Sequence, residues 1–425
     1  MEYLKHAQVP TEDDRRALSD KVVDLLDDLK RRGEPAVRDF SRQFDDWDPD
    51  SFRVPEAEIA GAEGELSEEL KESIRFAQDQ VRNFALLQRE TMTDLEVETR
   101  PGVVLGHRHI PVDSVGCYVP GGRYTLIASS YMSIIPARVA GVERVVMSTP
   151  PMGGRVPPAV LYSADLAGAD AIYSLGGVQA LASMAYGLLP DLEPVDMLIG
   201  PGNAFVVEAK RQLFGHVGID LLAGPTEIGV IADDTADPFI VACDLVGQAE
   251  HDPRSRAVLI TTSRQLGEAV IDQMDDHLSA ISTEEVARQA WENGGEVILV
   301  EDEAELVRVC DDYAIEHIEV LVHEPKRMID ILRHYGSLFV GAETTVAYGD
   351  KVSGPNHVLP THRAARFTGG LWVGKYLKTV TYQYMDKDGS REMAQHCETE
   401  ALAEGMAAHA RTASVRLERY APVGA

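Results

Sequence analysis

Short apolar runs alternate with helix-like segments through the middle of the chain, and this alternation restricts the fold more than any other feature. The first series of runs comprises residues 115–119, 145–147, 171–175 and 197–199. The second series comprises residues 228–232, 257–261, 297–300, 318–322 and 338–340. Strands separated by helices of this length predict parallel sheets built from βαβ units. The sequence therefore predicts an α/β protein with two lobes that meet near residues 219–228.

Helices flank the two lobes in the predicted architecture. Apolar residues recur at helical spacing within residues 12–44, where Gly33 interrupts the run, and residues 56–92 form more helix. The last stretch is polar and helical, and it resembles an arm more than a further core. The predicted domains are an N-terminal helical region (1–112), a first α/β lobe (113–226), a second α/β lobe (227–384) and a C-terminal helical arm (385–425).

Charge excludes several classes of partner. The 425 residues include 69 Asp and Glu against 40 Lys and Arg, a formal net charge of −29, and Arg is about three times as frequent as Lys. Such a surface repels phosphate backbones and anionic lipid, so we expect neither nucleic-acid nor membrane partners. The acidity is typical of a protein kept soluble in a salty, halophile-like cytoplasm, where self-repulsion is screened.

Composition indicates an ordinary globular protein. Apolar residues make up 44 % and charged residues 26 % of the chain. No run approaches the roughly 18 apolar residues of a membrane helix, and the N-terminus shows no secretory leader. The four cysteines are far apart, which disfavours disulfides and a cysteine-rich zinc site. We therefore expect a cytoplasmic protein.

Two polar pairs are candidates for chemistry. Gln248 and His251 project from one face near the end of a predicted helix, and with a distant carboxylate they suit a divalent metal. A surface or capping pair is the alternative. Glu316 and His317 precede a predicted strand and suit general base chemistry, provided that the backbone lets both face one pocket. A charged loop is the alternative there.

Glycine-rich turns follow three of the apolar runs, at residues 120–122, 176–177 and 200–203. Ligands bind at the carboxyl ends of strands in open α/β sheets, so we expect the loops after the strands to carry the chemistry. None of the three turns matches the G-x-G-x-x-G fingerprint with its acidic partner. A nucleotide-holding loop and an ordinary tight turn therefore both remain open.

A set of motifs, in order over almost the whole chain, resembles the histidinol dehydrogenase family. The motifs are GCYVPGG (116–122), GGVQ (176–179), GPGN (200–203), GIDLLAGPTEI (218–228), QAEHD (248–252), YAIEH (313–317), GD (349–350), NHVLP (356–360) and EGMAAH (404–409). The resemblance implies an NAD-dependent, zinc-containing enzyme that oxidises an alcohol through an aldehyde to a carboxylate. It also implies two Rossmann-like lobes and a homodimer that exchanges its C-terminal arms and shares each active site between subunits.

The resemblance assigns roles to individual residues. His317 looks like the base that takes the alcohol proton, and Glu316 looks like the residue that activates water onto the aldehyde. Other positions match the family's binding residues: the zinc ligands Gln248, His251, Asp350 and His409, with His409 supplied by the partner subunit; the NAD contacts Tyr118, Gln179 and Asn203; and the substrate contacts Thr226, His357 and Glu404, together with Gln248, His251, His317, Asp350 and His409.

Departures from the histidinol enzymes bear on the substrate. They include the segment 123–132, the segment 363–378, residues 1–7 and Lys351, which stands where those enzymes usually carry an aromatic residue. These features are more similar to a sulfopropanediol dehydrogenase branch of the family. A lysine facing the pocket would attract a sulfonate and repel the amine of histidinol. We therefore favour 2,3-dihydroxypropane-1-sulfonate, oxidised to sulfolactate, as the substrate.

Three alternatives remain. L-histidinol, oxidised to L-histidine, is the alternative substrate, and the retained Glu404 suits its cationic amine. A non-enzymatic two-lobed ligand binder would not depend on Glu316 and His317. A metal-independent Rossmann oxidoreductase would keep its activity after treatment with a chelator.

Overall fold

The computed structural model describes residues 1–7 and 13–421, which fold into two units. The first unit comprises Met1–Gln88 and Val112–Tyr376. The second unit comprises Arg89–Pro111 and the chain from Leu377 onward. Within the described residues, no helix is both long enough and apolar enough to cross a membrane.

The N-terminal region contains the predicted helices and also strands. The helices are α1 (Asp13–Arg32), α2 (Glu34–Asp45), α3 (Glu56–Ala62) and α4 (Glu68–Glu90). Gly33 separates the first two helices with a φ of 66°, a conformation that glycine adopts without strain. Residue 12, where the first helical stretch is predicted to begin, lies outside the described residues. The strands, which sequence reasoning missed, are β1 (Glu2–Lys5), β2 (Leu95–Arg100) and β3 (Val103–Pro111).

The first lobe is a parallel five-stranded sheet flanked by helices. Its elements are β4 (Ser114–Tyr118), α5 (Ile127–Ala140), β5 (Arg144–Thr149), α6 (Pro158–Ala167), β6 (Ala171–Ser174), α7 (Gly177–Tyr186), β7 (Met197–Ile199), α8 (Ala204–Leu213) and β8 (Gly218–Ile219). The strand order is β6-β5-β4-β7-β8, and every pair is parallel. The order reverses between β4 and β7, so the loops that follow these strands flank a crevice.

The second lobe has a six-stranded sheet. Its elements are β9 (Glu227–Ala232), α9 (Pro238–Ala249), β10 (Arg256–Thr261), α10 (Arg264–Ser279), α11 (Glu284–Gly294), β11 (Gly295–Leu299), α12 (Glu303–Tyr313), β12 (His317–Leu321), α13 (Met328–Ile331), β13 (Ser337–Val340) and α14 (Val346–Lys351). The strand order is β1-β11-β10-β9-β12-β13. All neighbouring strands pair in parallel except β1, which pairs antiparallel with β11 at the edge of the sheet. The two predicted series of strands are thus confirmed.

The second unit combines an antiparallel sheet with two helices. Its sheet has the order β14-β3-β2, in which β14 (Leu377–Met385) follows the last loop of the first unit. Next come α15 (Lys387–Ala403) and α16 (Ala407–Arg419), which agree with the helical C-terminal stretch expected from the sequence. Strand β14 was not expected. Most of its side chains are exposed, so it lacks the buried apolar run by which the lobe strands are recognised.

Candidate active site

A cavity of about 250 Å³ in the first unit is bordered by loops of the first lobe and by polar side chains of the second. The first lobe contributes the loops after β4 and β7, as expected for the carboxyl ends of strands at a crevice. The second lobe contributes functional residues from the amino ends of its strands. Thr226 precedes β9, and Glu316 precedes β12. For this lobe, the expectation that the loops after the strands carry the chemistry is wrong.

The reason lies in helix α9, which runs back along the sheet after β9. Gln248 is in its last turn and His251 lies just beyond it, so both arrive at the amino ends of the strands. Asp237 caps the start of this helix by accepting from Phe239 N at 2.9 Å. The hydroxyl of Tyr124 donates to the carbonyl of Glu250 at 2.7 Å and so attaches a first-lobe loop to the end of the helix.

Thr226 links two of the candidate residues. Its Oγ1 donates to Glu316 Oε2 at 2.7 Å and accepts from Gln248 Nε2 at 2.5 Å. The backbone N–H of Glu227 donates to the same Glu316 oxygen at 2.9 Å. With its amide NH₂ turned to Thr226, Gln248 keeps its carbonyl oxygen for another partner. Glu316 is buried, but two donors satisfy one of its oxygens, and the side chain borders the cavity.

His317 lies between two carboxylates. Its Nδ1 is 3.1 Å from the carbonyl of Glu227 and 3.4 Å from Glu316 Oε2. Its Nε2 lies 3.4 Å from Asp350 Oδ1 and makes no well-aligned hydrogen bond within the described residues. Burial opposes protonation of this imidazole, but the charges of Glu316 and Asp350 outweigh it and hold its pKa well above the usual value.

Asp350, in the last turn of α14, is the centre of the polar cluster. Its Oδ2 lies 3.8 Å from His251 Nε2, and its backbone carbonyl lies 3.1 Å from His357 Nδ1. Burial favours the neutral carboxyl, but the bond to His317 and the charges of the surrounding histidines more than offset it, so the pKa is lowered. Ser129 lies 3.0 Å from the other ring nitrogen of His357. Sequence reasoning gave Ser129 no role, although it lies within the unusual segment 123–132.

Lys351 is exposed and borders the cavity. Burial lowers the pKa of both His251 and His357, and the positive charge of Lys351 lowers each of them further. Lys351 borders the same cavity as His251 and His357, the two imidazoles beside Asp350. No salt bridge joins Lys351 to an acidic residue in the described part of the chain.

The donor set fits a divalent metal. Asp350, His251 and the carbonyl oxygen of Gln248 provide the oxygen and nitrogen ligands that zinc accepts. The pKa of His317 would fall if a cation took up the charge of Asp350, which would leave Nε2 free to accept a proton. Within residues 1–7 and 13–421, no three His, Cys, Asp or Glu side chains form a metal-binding group.

Of the three residues that match NAD contacts, only Asn203 borders the cavity. It also caps α8, accepting from Phe205 N at 3.0 Å and from Val206 N at 3.2 Å. Tyr118 and Gln179 are buried beside the Gly176-Gly177 turn. The Tyr118 hydroxyl accepts from Gly177 N at 3.1 Å, and Gln179 Nε2 donates to Asp45 at 3.0 Å. In this conformation the two side chains shape the turn.

The remaining two residues belong to the second unit. Glu404 lies at the end of α15, and His409 lies in the first turn of α16. Both side chains are exposed. Their assignment as substrate contact and metal ligand therefore stays a prediction.

A buried carboxyl pair near the site was not predicted from the sequence. Glu319, on β12, accepts from Val346 N at 2.8 Å, and its neighbour Asp244 accepts from Thr345 Oγ1 at 3.1 Å. Burial, reinforced by the charge of Asp244, raises the pKa of Glu319 to about 8. The contribution of Glu319 to the stability of the fold is therefore complete below the usual pKa of a glutamate. It is lost as the pH rises through the raised pKa of Glu319.

This pair predicts a pH-dependent stability. As the pH rises from about 5 to 9, we expect the melting temperature of the wild type to fall relative to that of Glu319→Gln, which cannot ionise. Thermal denaturation across this range measures the difference. Parallel curves for the two proteins would show that Glu319 does not ionise there.

Comparisons with known proteins show the family of the chain. The family model described as histidinol dehydrogenase matches residues 9–417. A histidinol dehydrogenase homolog of Shouchella clausii is 52 % identical over 421 residues, 99 % of each chain. The sulfopropanediol 3-dehydrogenase of Ruegeria pomeroyi is 46 % identical over 425 residues and is covered over 97 % of its length. The crystal structure of histidinol dehydrogenase from Elizabethkingia anophelis matches with a TM-score of 0.90 and 31 % identity, over 97 % of this chain and 98 % of that one. The chain therefore belongs to the histidinol dehydrogenase family of dehydrogenases.

Proposed function

We propose that this chain is a zinc- and NAD-dependent dehydrogenase that oxidises a small primary alcohol through the aldehyde to the carboxylate. The observation that carries the proposal is the position of His317, whose ring nitrogens each lie 3.4 Å from a buried carboxylate, that of Glu316 or of Asp350. One imidazole thus touches both the proposed water-activating residue and a proposed metal ligand. This arrangement suits two successive oxidations in one site.

His317 takes the proton of the substrate alcohol in this proposal. Its Nδ1 faces the carbonyl of Glu227, so Nδ1 carries the hydrogen and Nε2 is the basic nitrogen. That nitrogen is buried and lies 3.4 Å from Asp350 Oδ1, and it would be available to an incoming hydroxyl once the metal took up the charge of Asp350. NAD would accept hydride from the substrate carbon, and zinc would polarise the substrate oxygen.

Glu316 activates water for the second oxidation. Thr226 and the Glu227 N–H bind one oxygen of its carboxylate, which fixes its orientation and leaves the other oxygen for water. The hydrated aldehyde is again an alcohol, and His317 takes its proton as before. Gln248, His251 and Asp350 would hold the metal, and His409 would complete the set from the second subunit of a homodimer. Glu404 would approach the substrate by the same route.

The favoured substrate is 2,3-dihydroxypropane-1-sulfonate. Lys351 borders the cavity, and its charge acts on His251 and His357, so an anionic group bound beside the metal site would meet a cation. A protonated amine in the same place would be repelled. The 46 % identical relative named sulfopropanediol 3-dehydrogenase supports this choice. L-histidinol is the alternative, supported by the relatives named histidinol dehydrogenase and by Glu404.

A paired substrate assay tests this choice. We expect NADH formation with the sulfonated diol at a kcat/KM well above that with L-histidinol. In Lys351→Met we expect KM for the sulfonated diol to rise by about 10- to 100-fold, because a charge-assisted contact is lost. An uncharged diol should show little change in KM.

Lys326→Met provides the matched control, since Lys326 is also exposed and does not border the cavity. Activity with L-histidinol alone would overturn the sulfonate proposal and leave the dehydrogenase proposal intact. Absence of NAD reduction with both substrates would contradict the broader proposal.

A further inference from the structure

A buried ion pair lies behind the crevice of the first lobe. Lys210, on α8, and Asp220, just after β8, are 1 % and 0 % exposed at their side chains and contact each other directly. Both also bind the same backbone residue. Lys210 Nζ donates to the carbonyl of Gly200 at 2.8 Å, and the Gly200 N–H donates to Asp220 Oδ2 at 2.8 Å. The pair therefore fixes both hydrogen-bonding groups of Gly200.

Gly200 directly follows β7, and the cavity loop begins there. Its φ is 117°, and a Cβ there would lie 2.1 Å from the carbonyl oxygen of Tyr118, on the neighbouring strand β4. The residues that follow, Pro201, Gly202 and Asn203, border the cavity. The orientation of Gly200 thus sets the direction in which this loop leaves the sheet, at the crevice between β4 and β7.

Stability alone does not account for a charged pair in this position. Taking two charges out of water costs about as much as their attraction returns, so an apolar pair of similar size would serve a core equally well. An apolar pair, however, would leave the N–H and carbonyl of Gly200 without partners in a buried place. What the ion pair adds is a defined backbone geometry at the start of the loop.

We propose that Lys210 and Asp220 are positioning residues for the dinucleotide, acting through Gly200 and the loop 201–203. The inference rests on the proposed function, in which NAD binds at this crevice. It predicts that removing the pair weakens dinucleotide binding and leaves the second-lobe chemistry intact, because Glu316, His317 and Asp350 make none of their contacts through this loop.

The test uses the double variant Lys210→Met with Asp220→Asn in the full-length protein. Removing both charges avoids leaving one of them buried and unpaired. We expect the Kd for NADH, measured by fluorescence titration, and the KM for NAD to rise about tenfold. The kcat and the KM for the alcohol should stay within about twofold of the wild type, because only binding is affected. Unchanged NADH affinity would overturn the proposal.

Asp196→Asn is a control at the other end of the same two strands. Asp196 precedes β7 and accepts from Ser114 N at 2.9 Å and Ser114 Oγ at 2.7 Å, at the amino ends of β7 and β4. We expect this variant to lower the melting temperature without changing NADH affinity. If both variants weakened NADH binding in proportion to their loss of stability, the pair would be merely structural and the proposal would be wrong.

Two further outcomes are distinguishable. If the double variant does not fold, Lys210→Gln with Asp220→Asn removes both charges and keeps hydrogen-bonding groups at both positions. A smaller rise in the Kd for NADH is then expected, and unchanged affinity in this folded variant would overturn the proposal. If the wild type neither binds NADH nor reduces NAD, the proposed function itself fails. A wild type that binds NADH, with variants that bind it equally well, removes the positioning role only.

Discussion

Replacing Glu316 by Gln is expected to slow oxidation of the aldehyde by about 10²- to 10⁴-fold while slowing oxidation of the alcohol much less. The amide can keep the contacts with Thr226 Oγ1 and the Glu227 N–H, so the loop retains its shape. It cannot take a proton from water at neutral pH. The loss therefore falls on the step that needs water.

His317→Ala is the companion variant, and it should slow both oxidations by a factor in the same range. Each step removes a proton from a hydroxyl group, and the buried Nε2 of His317 is the proposed acceptor for both. Single-turnover measurements with the alcohol and with the aldehyde separate the two steps. Equal losses of both steps in Glu316→Gln would contradict the proposed division of labour.

Glu319→Gln is the matched control for these two variants. Glu319 lies on β12, the strand that begins at His317 directly after Glu316; it is buried and also accepts a backbone N–H, that of Val346 at 2.8 Å. We expect both oxidation rates to stay near those of the wild type at pH 7. A loss as large as that of Glu316→Gln would show that any disturbance of this buried strand impairs the enzyme.

Mixing two inactive variants is expected to restore activity if the site is shared between subunits. His251→Ala removes a ligand from the first unit, and His409→Ala removes one from the second. Each homodimer should lack tightly bound zinc and be nearly inactive. After random exchange of subunits, about one site in four should be intact, because half of the dimers are mixed and each mixed dimer has one complete site.

The readouts are zinc content after dialysis against a chelator and NADH formation after zinc is added back. The wild type should lose activity on dialysis and regain it with Zn²⁺. Failure of the mixture to recover, with exchange verified by differently tagged subunits, would show that the site does not combine residues of two chains. Activity that survives the chelator would indicate an oxidoreductase that needs no metal.

The lobe strands were predictable because each is a continuous apolar run. Residues 228–232 and 318–322 read as buried strands, and the structure has strands Glu227–Ala232 and His317–Leu321. Strand β2 gave no such signal, since all of Leu95–Arg100 is exposed. Strand β1 pairs with β11, almost 300 residues away along the chain, and local periodicity carries no information about such a partner.

The candidate site was predictable in its members but only partly in its arrangement. Motif resemblance named Glu316, His317 and Asp350, and the structure brings them together. It gave no indication that the second lobe presents them at the amino ends of its strands. That arrangement follows from the parallel register in which His317 pairs with Ile228, which places the residue before β12 beside the residue before β9.

The sequence by itself determined the order of the lobe strands, the two lobes and the family, because these depend on burial patterns and motifs that are local along the chain. Only the tertiary structure decided that Thr226 joins Glu316 to Gln248, that the charge of Lys351 acts on His251 and His357, and that Lys210 and Asp220 hold Gly200. Thr226 and Glu316, for example, are 90 positions apart. Strand register and the return path of helix α9 fix their distances, and neither can be read from local sequence.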